Sequence, residues 1–219
     1  MAVPRDPALD PLPSHSAYVA VRSPVAWLTF AATAGIGLGL DLWTKYLSFG
    51  KFAHFADDGT FLGGDVYEFI PKWLHFTALV NRGAVFGIGQ GKQTLFVAVS
   101  VLAIAFLVFL FTRSGKRVGY QFLLGLLLAG VIGNFYDRVK YDYVRDMIHL
   151  APGVPNPLRS FFPRWDTIFP WVFNLADSYL CVGVGLMLLH SLFYGDDAKT
   201  PQPAPNAAAP DPTKSGPAV

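Results

Sequence analysis

The hydrophobic positions of this chain gather into four long apolar runs. They are separated by a mixed stretch, a short basic turn and a proline-rich connection. The first run extends from about Val25 to Leu40 and continues amphipathically to Leu47; the others cover residues 94–112, 118–135 and 171–194. Each is long enough to cross a hydrocarbon layer of about 30 Å, so the pattern predicts four transmembrane helices. Between Ser48 and Gln93 the helical period breaks. Asp65–Ile70 and Trp73–Thr77 alternate apolar and polar residues between Gly and Pro, which predicts short strands. A small extramembrane sheet over about 48–93 follows, with Tyr67, Phe69, Trp73 and Phe76 at headgroup level. The fold class is a mainly α membrane protein.

The two ends change little. Residues 1–23 are rich in Pro and small residues, without apolar period, and read as a disordered leader. Ala32-Thr33-Ala34 has the form of a signal cleavage site, but the apolar run continues past it, so no signal peptide is read here. Residues 195–219 read as a disordered tail, leaving 24–194 as one membrane domain. Composition agrees: 53% of residues are hydrophobic and 15% charged, against about 25% charged in soluble domains, and the mean hydropathy is +0.38. A net charge of +2 does not argue for nucleic acid. The single cysteine, Cys181, excludes an intramolecular disulfide and reads as a small buried hydrophobe.

Four spans put both termini on one side. The basic turn Arg113-Ser114-Gly115-Lys116-Arg117 argues that this side is cytoplasmic. The 136–170 connection carries Arg138, Lys140, Arg145, Arg159 and Arg164, so the raw Lys/Arg count does not favour that orientation.

Carboxylates carry the candidate chemistry. Asp41, Asp137, Asp146 and Asp177 all adjoin apolar runs, where ionisable groups are costly and usually functional. Two carboxylates held together cannot both ionise readily, so one retains a proton. Such a pair can activate water and later protonate a leaving amine. Asn174 and Asp177 share a helix face by their spacing, as do Asn134, Asp137 and Arg138. Arg138 is a natural partner for Asp137, and such a pairing would hold Asp137 ionised, which argues against it as the proton-sharing member. Asp41 and Lys45 form an i,i+4 ion pair, read either as a device for leaving the hydrocarbon or as an anchor beneath a site. Spacing alone pairs Asp177 with either Asp137 or Asp146. The bland alternative is that all four acids pair with Lys45, Arg138 or Arg145 at the membrane surface. His15, His54, His75, His149 and His190 lack metal-site spacing. Gly87-Ile88-Gly89-Gln90-Gly91 is no nucleotide loop, and Ser178 lacks a nucleophile elbow. A small proton-coupled transporter or relay using the same acids is the competing reading, weakened by the absence of an internal repeat.

Four short motifs, in order, resemble the lipoprotein signal peptidase (signal peptidase II) family: Asp41-Leu-Trp-Thr-Lys45, Asn81-Arg-Gly-Ala-Val-Phe-Gly87, Gly133-Asn-Phe-Tyr-Asp-Arg138 followed by Asp146, and Phe173-Asn-Leu-Ala-Asp-Ser178. The resemblance covers about residues 25–194. It implies four transmembrane helices with a small extracytoplasmic β-sheet cradle, in the bacterial cytoplasmic membrane, with the active site near the outer face. It implies removal of the signal peptide from a diacylglyceryl-modified prolipoprotein, just before the lipidated cysteine, by a monomeric aspartyl endopeptidase that needs no cofactor and works among membrane lipids. Carried over residue by residue, Asp146 and Asp177 are the catalytic dyad. Asn81, Gly83, Asn134, Asp137, Arg138 and Asn174 bind substrate or support the site, and Asp41 and Lys45 support it. The chain departs from the family in a long connection over 151–170, with Pro152, Pro155, Pro157, Pro163 and Pro170 among Phe161, Phe162 and Trp165. This stretch reads as a lid or an extended membrane contact. Arg145, bulky and charged beside Asp146, reads as a tuner of the pair.

Overall fold

Ser23 starts the first helix: its hydroxyl accepts from the Ala26 N–H at 3.3 Å, and Pro24 takes the first helical position, where no N–H is needed. A computed structural model describes residues 23–83, 91–115 and 117–194, except the side chains at 190, 191, 193 and 194. The tail, the leader up to residue 22, Ala84–Gly87 of the second motif and most of the Gly87–Gly91 stretch lie outside the described residues.

Among the described residues four helices form: α1 (Pro24–Phe52), α2 (Gln93–Arg113), α3 (Val118–Tyr141) and α4 (Leu175–Tyr194). Among the described residues α1, α2 and α3 are long and apolar enough to cross a membrane; α4 is a shorter apolar helix over Leu175–Leu189. The chain divides into two units after Val184; in the second, the described residues continue α4. Only Leu107 and Phe111 of α2 are buried, and a helix apolar on every side suits a lipid surround. Phe111 stacks on Phe30 of α1 at 4.2 Å and meets Trp27 edge-on at 4.8 Å, which ties α2 to α1. α3 is the most enclosed helix and buries Gly133, Asn134 and Asp137 along with its leucines.

Among the described residues six strands form two sheets. β1 (Ala53–Phe55) pairs with β2 (Phe61–Gly64), and a four-stranded antiparallel sheet runs in the order β3 (Tyr67–Ile70), β4 (Leu74–Asn81), β5 (Val144–Leu150), β6 (Val172–Phe173). Phe49 and Phe52, at the end of α1, pack with Ala78 of β4 and with Phe61, Phe76 and Tyr143, so the sheets rest on the end of the first helix.

Several boundaries move from those the sequence predicts. α1 runs to Phe52, through residues expected in the sheet, because Asp41 and Lys45 are fully buried partners inside the fold and do not mark an exit to water. α3 continues past 135 to Tyr141 and ends where Asp142 takes a left-handed φ of 62°. α4 begins at Leu175, not 171. The sheet also extends beyond 48–93: β5 and β6 come from the connection after α3. β5 escapes an alternation rule because Val144, Arg145, Asp146 and Met147 are all buried; charged residues on both faces hide the period that marks a strand.

Candidate active site

The fold brings every predicted site residue into one hydrogen-bonded network, but with different pairings. Asn174 precedes α4 and caps it. Its Oδ1 accepts from the Asp177 N–H at 2.9 Å, while Asp177 Oδ2 accepts from the Asn174 N–H at 3.3 Å. This reciprocal capping box is what the i,i+3 spacing encodes. It holds Asp177 in the first turn of α4, at the positive end of the helix dipole.

Asp146 projects from β5 and is 1% exposed. Asn81, at the end of β4, donates to its Oδ2 at 3.0 Å, and Asn174 Nδ2 donates to its Oδ1 at 2.6 Å. The Asn81 amide is itself aimed, because its Oδ1 accepts from the Gly83 N–H at 2.9 Å. Burial, and then the charge of Asp177, push the Asp146 carboxyl up to about 8 against those two amide hydrogen bonds. Asn134 of α3 donates to Asp177 Oδ1 at 2.7 Å and accepts from Lys45 Nζ at 3.0 Å and from Asn174 Nδ2 at 3.2 Å. Lys45 therefore sets the orientation of the Asn134 amide: oxygen toward the cation, nitrogen toward Asp177.

The other two aspartates are matched by cations. Lys45 Nζ lies 2.7 Å from Asp41 Oδ2 and 3.3 Å from Asp137 Oδ2. Arg145 reaches Asp137 Oδ1 with Nη2 at 2.7 Å and Nε at 3.1 Å, and its backbone N–H donates to Oδ2 at 3.0 Å. The expected Asp137–Arg138 pairing is replaced by this one. Adjacent residues on a helix diverge by about a quarter turn. Asp137 faces α1 and β5, whereas Arg138 donates to the Gly83 carbonyl at 3.1 Å and the Asn134 carbonyl at 3.3 Å. Arg145 thus grips Asp137 instead of bearing on Asp146. Two further supports lie within the motifs without being singled out there as site residues. The Ala176 N–H donates to Asp41 Oδ1 at 2.9 Å, and a Cβ on Gly133 would overlap the Asp41 carboxylate, so only glycine lets α1 and α3 close there.

A cavity of about 450 Å³ opens beside the network. Asp177, Asn134, Asn81 and Arg138 give it a polar end, while Val99 and Phe173 represent its largely apolar walls. Asp146 stands behind Asn81 and Asn174 and does not line the cavity. Among the described residues no group of three or more His, Cys, Asp or Glu side chains is placed to hold a metal ion.

Residues 33–193 match the family model for signal peptidase (SPase) II. The chain is 34% identical to a lipoprotein signal peptidase of Enterococcus faecalis over 163 residues, covering 74% of this chain and 86% of the relative. It is 39% identical to one of Streptococcus pyogenes serotype M6 over 127 residues, covering 58% and 74%. A bacterial membrane enzyme solved by the in meso method at 2.3 Å resolution has the same fold, with a TM-score of 0.61 and 30% identity over 81% of this chain and 94% of that one. With motifs, fold and relatives in agreement, this chain belongs to the signal peptidase II family of membrane-embedded, lipoprotein-processing proteases.

Proposed function

We propose that this protein removes the signal peptide from diacylglyceryl-modified prolipoproteins by aspartyl proteolysis, cutting immediately before the lipidated cysteine. The observation that carries the reading is the contrast in partners. Asp146 and Asp177 receive side-chain hydrogen bonds from Asn81, Asn134 and Asn174, whereas Asp41 and Asp137 receive Lys45 and Arg145. A carboxyl pair satisfied by neutral amides keeps a mobile proton; one neutralised by cations does not.

In this reading the scissile carbonyl enters the polar end of the cavity beside Asp177 and turns the Asn81 amide aside to reach Asp146 Oδ2. Asp177, open to the cavity, takes a proton from water as the water oxygen adds to the carbonyl carbon. Asp146 gives its proton to the carbonyl oxygen as that bond forms. Collapse of the tetrahedral intermediate breaks the carbon–nitrogen bond; the proton on Asp177 passes to the departing nitrogen, and Asp146 recovers its own from the intermediate. The apolar walls exclude bulk water and strengthen each of these contacts.

The remaining assignments are part of the same proposal. Residues 24–194 form a monomeric peptidase domain between a leader and a tail, with α4 as the fourth span and both termini cytoplasmic. The sheets and the site then lie at the outer face of the bacterial inner membrane, at the depth where a lipidated cysteine presents its scissile bond. The direct test incubates the purified protein with a prolipoprotein carrying diacylglycerol and with the same chain lacking it, and locates any cut by mass. Cleavage before the modified cysteine in the lipidated substrate alone is expected. Equal cleavage of both, or a cut elsewhere, overturns the proposal.

A further inference from the structure

The 151–170 connection is tightly built, yet it holds large apolar side chains outward. Its base is closed by the Pro155–Thr167 bridge, by Ile168 N–H donating to the Val154 carbonyl at 3.1 Å, and by Asn156 N–H donating to the Asp166 carbonyl at 3.0 Å. Asn156 also donates from Nδ2 to the Trp165 carbonyl at 3.1 Å and accepts from the Leu158 N–H at 2.9 Å. From this frame Phe161 is 79% exposed, Leu158 52% and Phe162 43%. A frame so fully hydrogen-bonded keeps those rings out of the protein's own core.

Behind the tip the aromatic side chains form a continuous series. Phe162 stacks on Trp165 at 4.6 Å, Trp165 meets Trp171 at 4.7 Å, Trp171 meets Phe169 at 5.3 Å, and Phe169 meets Phe173 at 5.7 Å. Phe169, Trp171 and Phe173 line the cavity that holds Asp177, and Phe173 stands two residues before α4. The exposed tip is therefore joined by rings to the place where an apolar helix begins. The base is also pinned to the β3–β4 turn. The Ala151 N–H donates to the Trp73 carbonyl at 2.7 Å and the Gly153 N–H to the Lys72 carbonyl at 3.1 Å. A Cβ on Gly153 would sit 2.7 Å from Lys72 Cα, so the approach admits only glycine. Phe69 in β3 and Trp73 in that turn are each 58% exposed.

Charge decides what covers this surface. Lys72, Arg159 and Arg164 of the two segments are exposed; Arg159 and the acid of the loop, Asp166, pair at 2.9 Å, so Lys72 and Arg164 carry the net positive charge. Aromatic and aliphatic side chains rimmed by Lys and Arg fit the headgroup zone of a bilayer carrying negative lipids. We infer that the 151–170 loop, with the β3–β4 turn, is a docking surface for anionic phospholipid that seats the aromatic wall of the cavity at the membrane surface. This surface does not depend on which groups perform the cleavage.

The test places a fluorophore at residue 161, as Phe161→Cys in a Cys181→Ala background, in the full chain reconstituted in vesicles without substrate. Phe161 is exposed enough for the label to leave the loop intact, and a label at Asp57→Cys, in the exposed β1–β2 turn, is the aqueous control. Vesicles of phosphatidylcholine alone and with phosphatidylglycerol carry a headgroup nitroxide lipid. The expected result is lipid quenching at 161 with protection from aqueous iodide, stronger with phosphatidylglycerol. Adding Arg164→Gln cuts that anionic preference by about fivefold. Four outcomes overturn the inference: iodide quenching equal to the residue-57 control, equal quenching in both vesicle types, protection that grows with protein density and marks a second copy, and protection only when prolipoprotein is added. The readout needs no turnover and is repeated in Asp146→Asn protein, so it stands or falls apart from the proposed chemistry.

Discussion

Asp137 and Asp146 lie on successive elements, α3 and β5, and both are buried, yet the fold treats them in opposite ways. Asp137 receives Lys45 at 3.3 Å and three hydrogen bonds from Arg145. With Asp41 it makes a cluster of two acids and two cations, whose charges cancel. Asp146 receives amides from Asn81 and Asn174, and shares its surroundings with Asp177. Charge cancellation makes the first cluster a brace between α1, α3 and β5. Amide solvation leaves the second a site where a proton can move. Residue type and burial are the same in both; the partners differ.

The sharpest way to break this comparison is to neutralise one acid from the proposed dyad. Asp146→Asn and Asp177→Asn keep the shape of the side chain, and prolipoprotein processing should fall by about 10²–10⁴-fold while the protein remains folded and inserted. Normal processing by either variant removes the dyad from the mechanism. The pH profile sharpens the same point. Asp146 is raised to about 8 in the folded protein from an unfolded value near 3.8, so the native state holds an extra proton between those limits. Its stability contribution is fully present below the unfolded value and is lost as pH rises through about 8. Thermal melting should therefore fall over that interval in the parent protein and flatten in Asp146→Asn, and processing should decline above about pH 8.

The brace should fail differently. Lys45→Met leaves Asp41 and Asp137 without their shared cation, and breaking a buried ion pair in this way costs about 3–5 kcal/mol, read as a loss of unfolding stability in detergent. A variant that melts normally yet cannot process substrate would move Lys45 from the brace to the reactive cluster. Asn81→Ala is intermediate, because it removes one amide hydrogen bond from the Asp146 carboxyl. Processing should fall by about two- to tenfold, with most of the fold's stability kept. The smallest effect belongs to an ion pair outside both clusters: Arg159→Gln breaks an exposed contact to Asp166 and should change stability by less than about 1 kcal/mol.

The sequence carries unequal amounts of this architecture. The apolar runs mark the helices, and Asp41–Lys45 and Asn174–Asp177 are contacts within one helix or its cap, so spacing alone reaches them. The alternation in β3 and β4 is visible because their polar residues keep contact with solvent: β3 is exposed at every position and β4 buries only Ala78. The partner of Asp137 is not legible. Arg145 reaches it across the α3–β5 turn, and a helical reading of the adjacent Arg138 points to the wrong guanidinium. Strand β5 is hidden because its polar residues are buried. The proposed choice of Asp146 over Asp137 as the reactive acid comes from the family motifs, since local spacing leaves both open; the contacts of Gly133 and the Ala176 N–H with Asp41 join distant segments.

The account rests most heavily on the retained proton of the Asp146–Asp177 pair. Infrared difference spectroscopy across a pH titration reads it directly, as a protonated carboxyl band present at pH 7, fading as pH rises through about 8, and absent in Asp146→Asn. No such band at pH 7, or one that survives unchanged in Asp146→Asn, would contradict a shared-proton dyad.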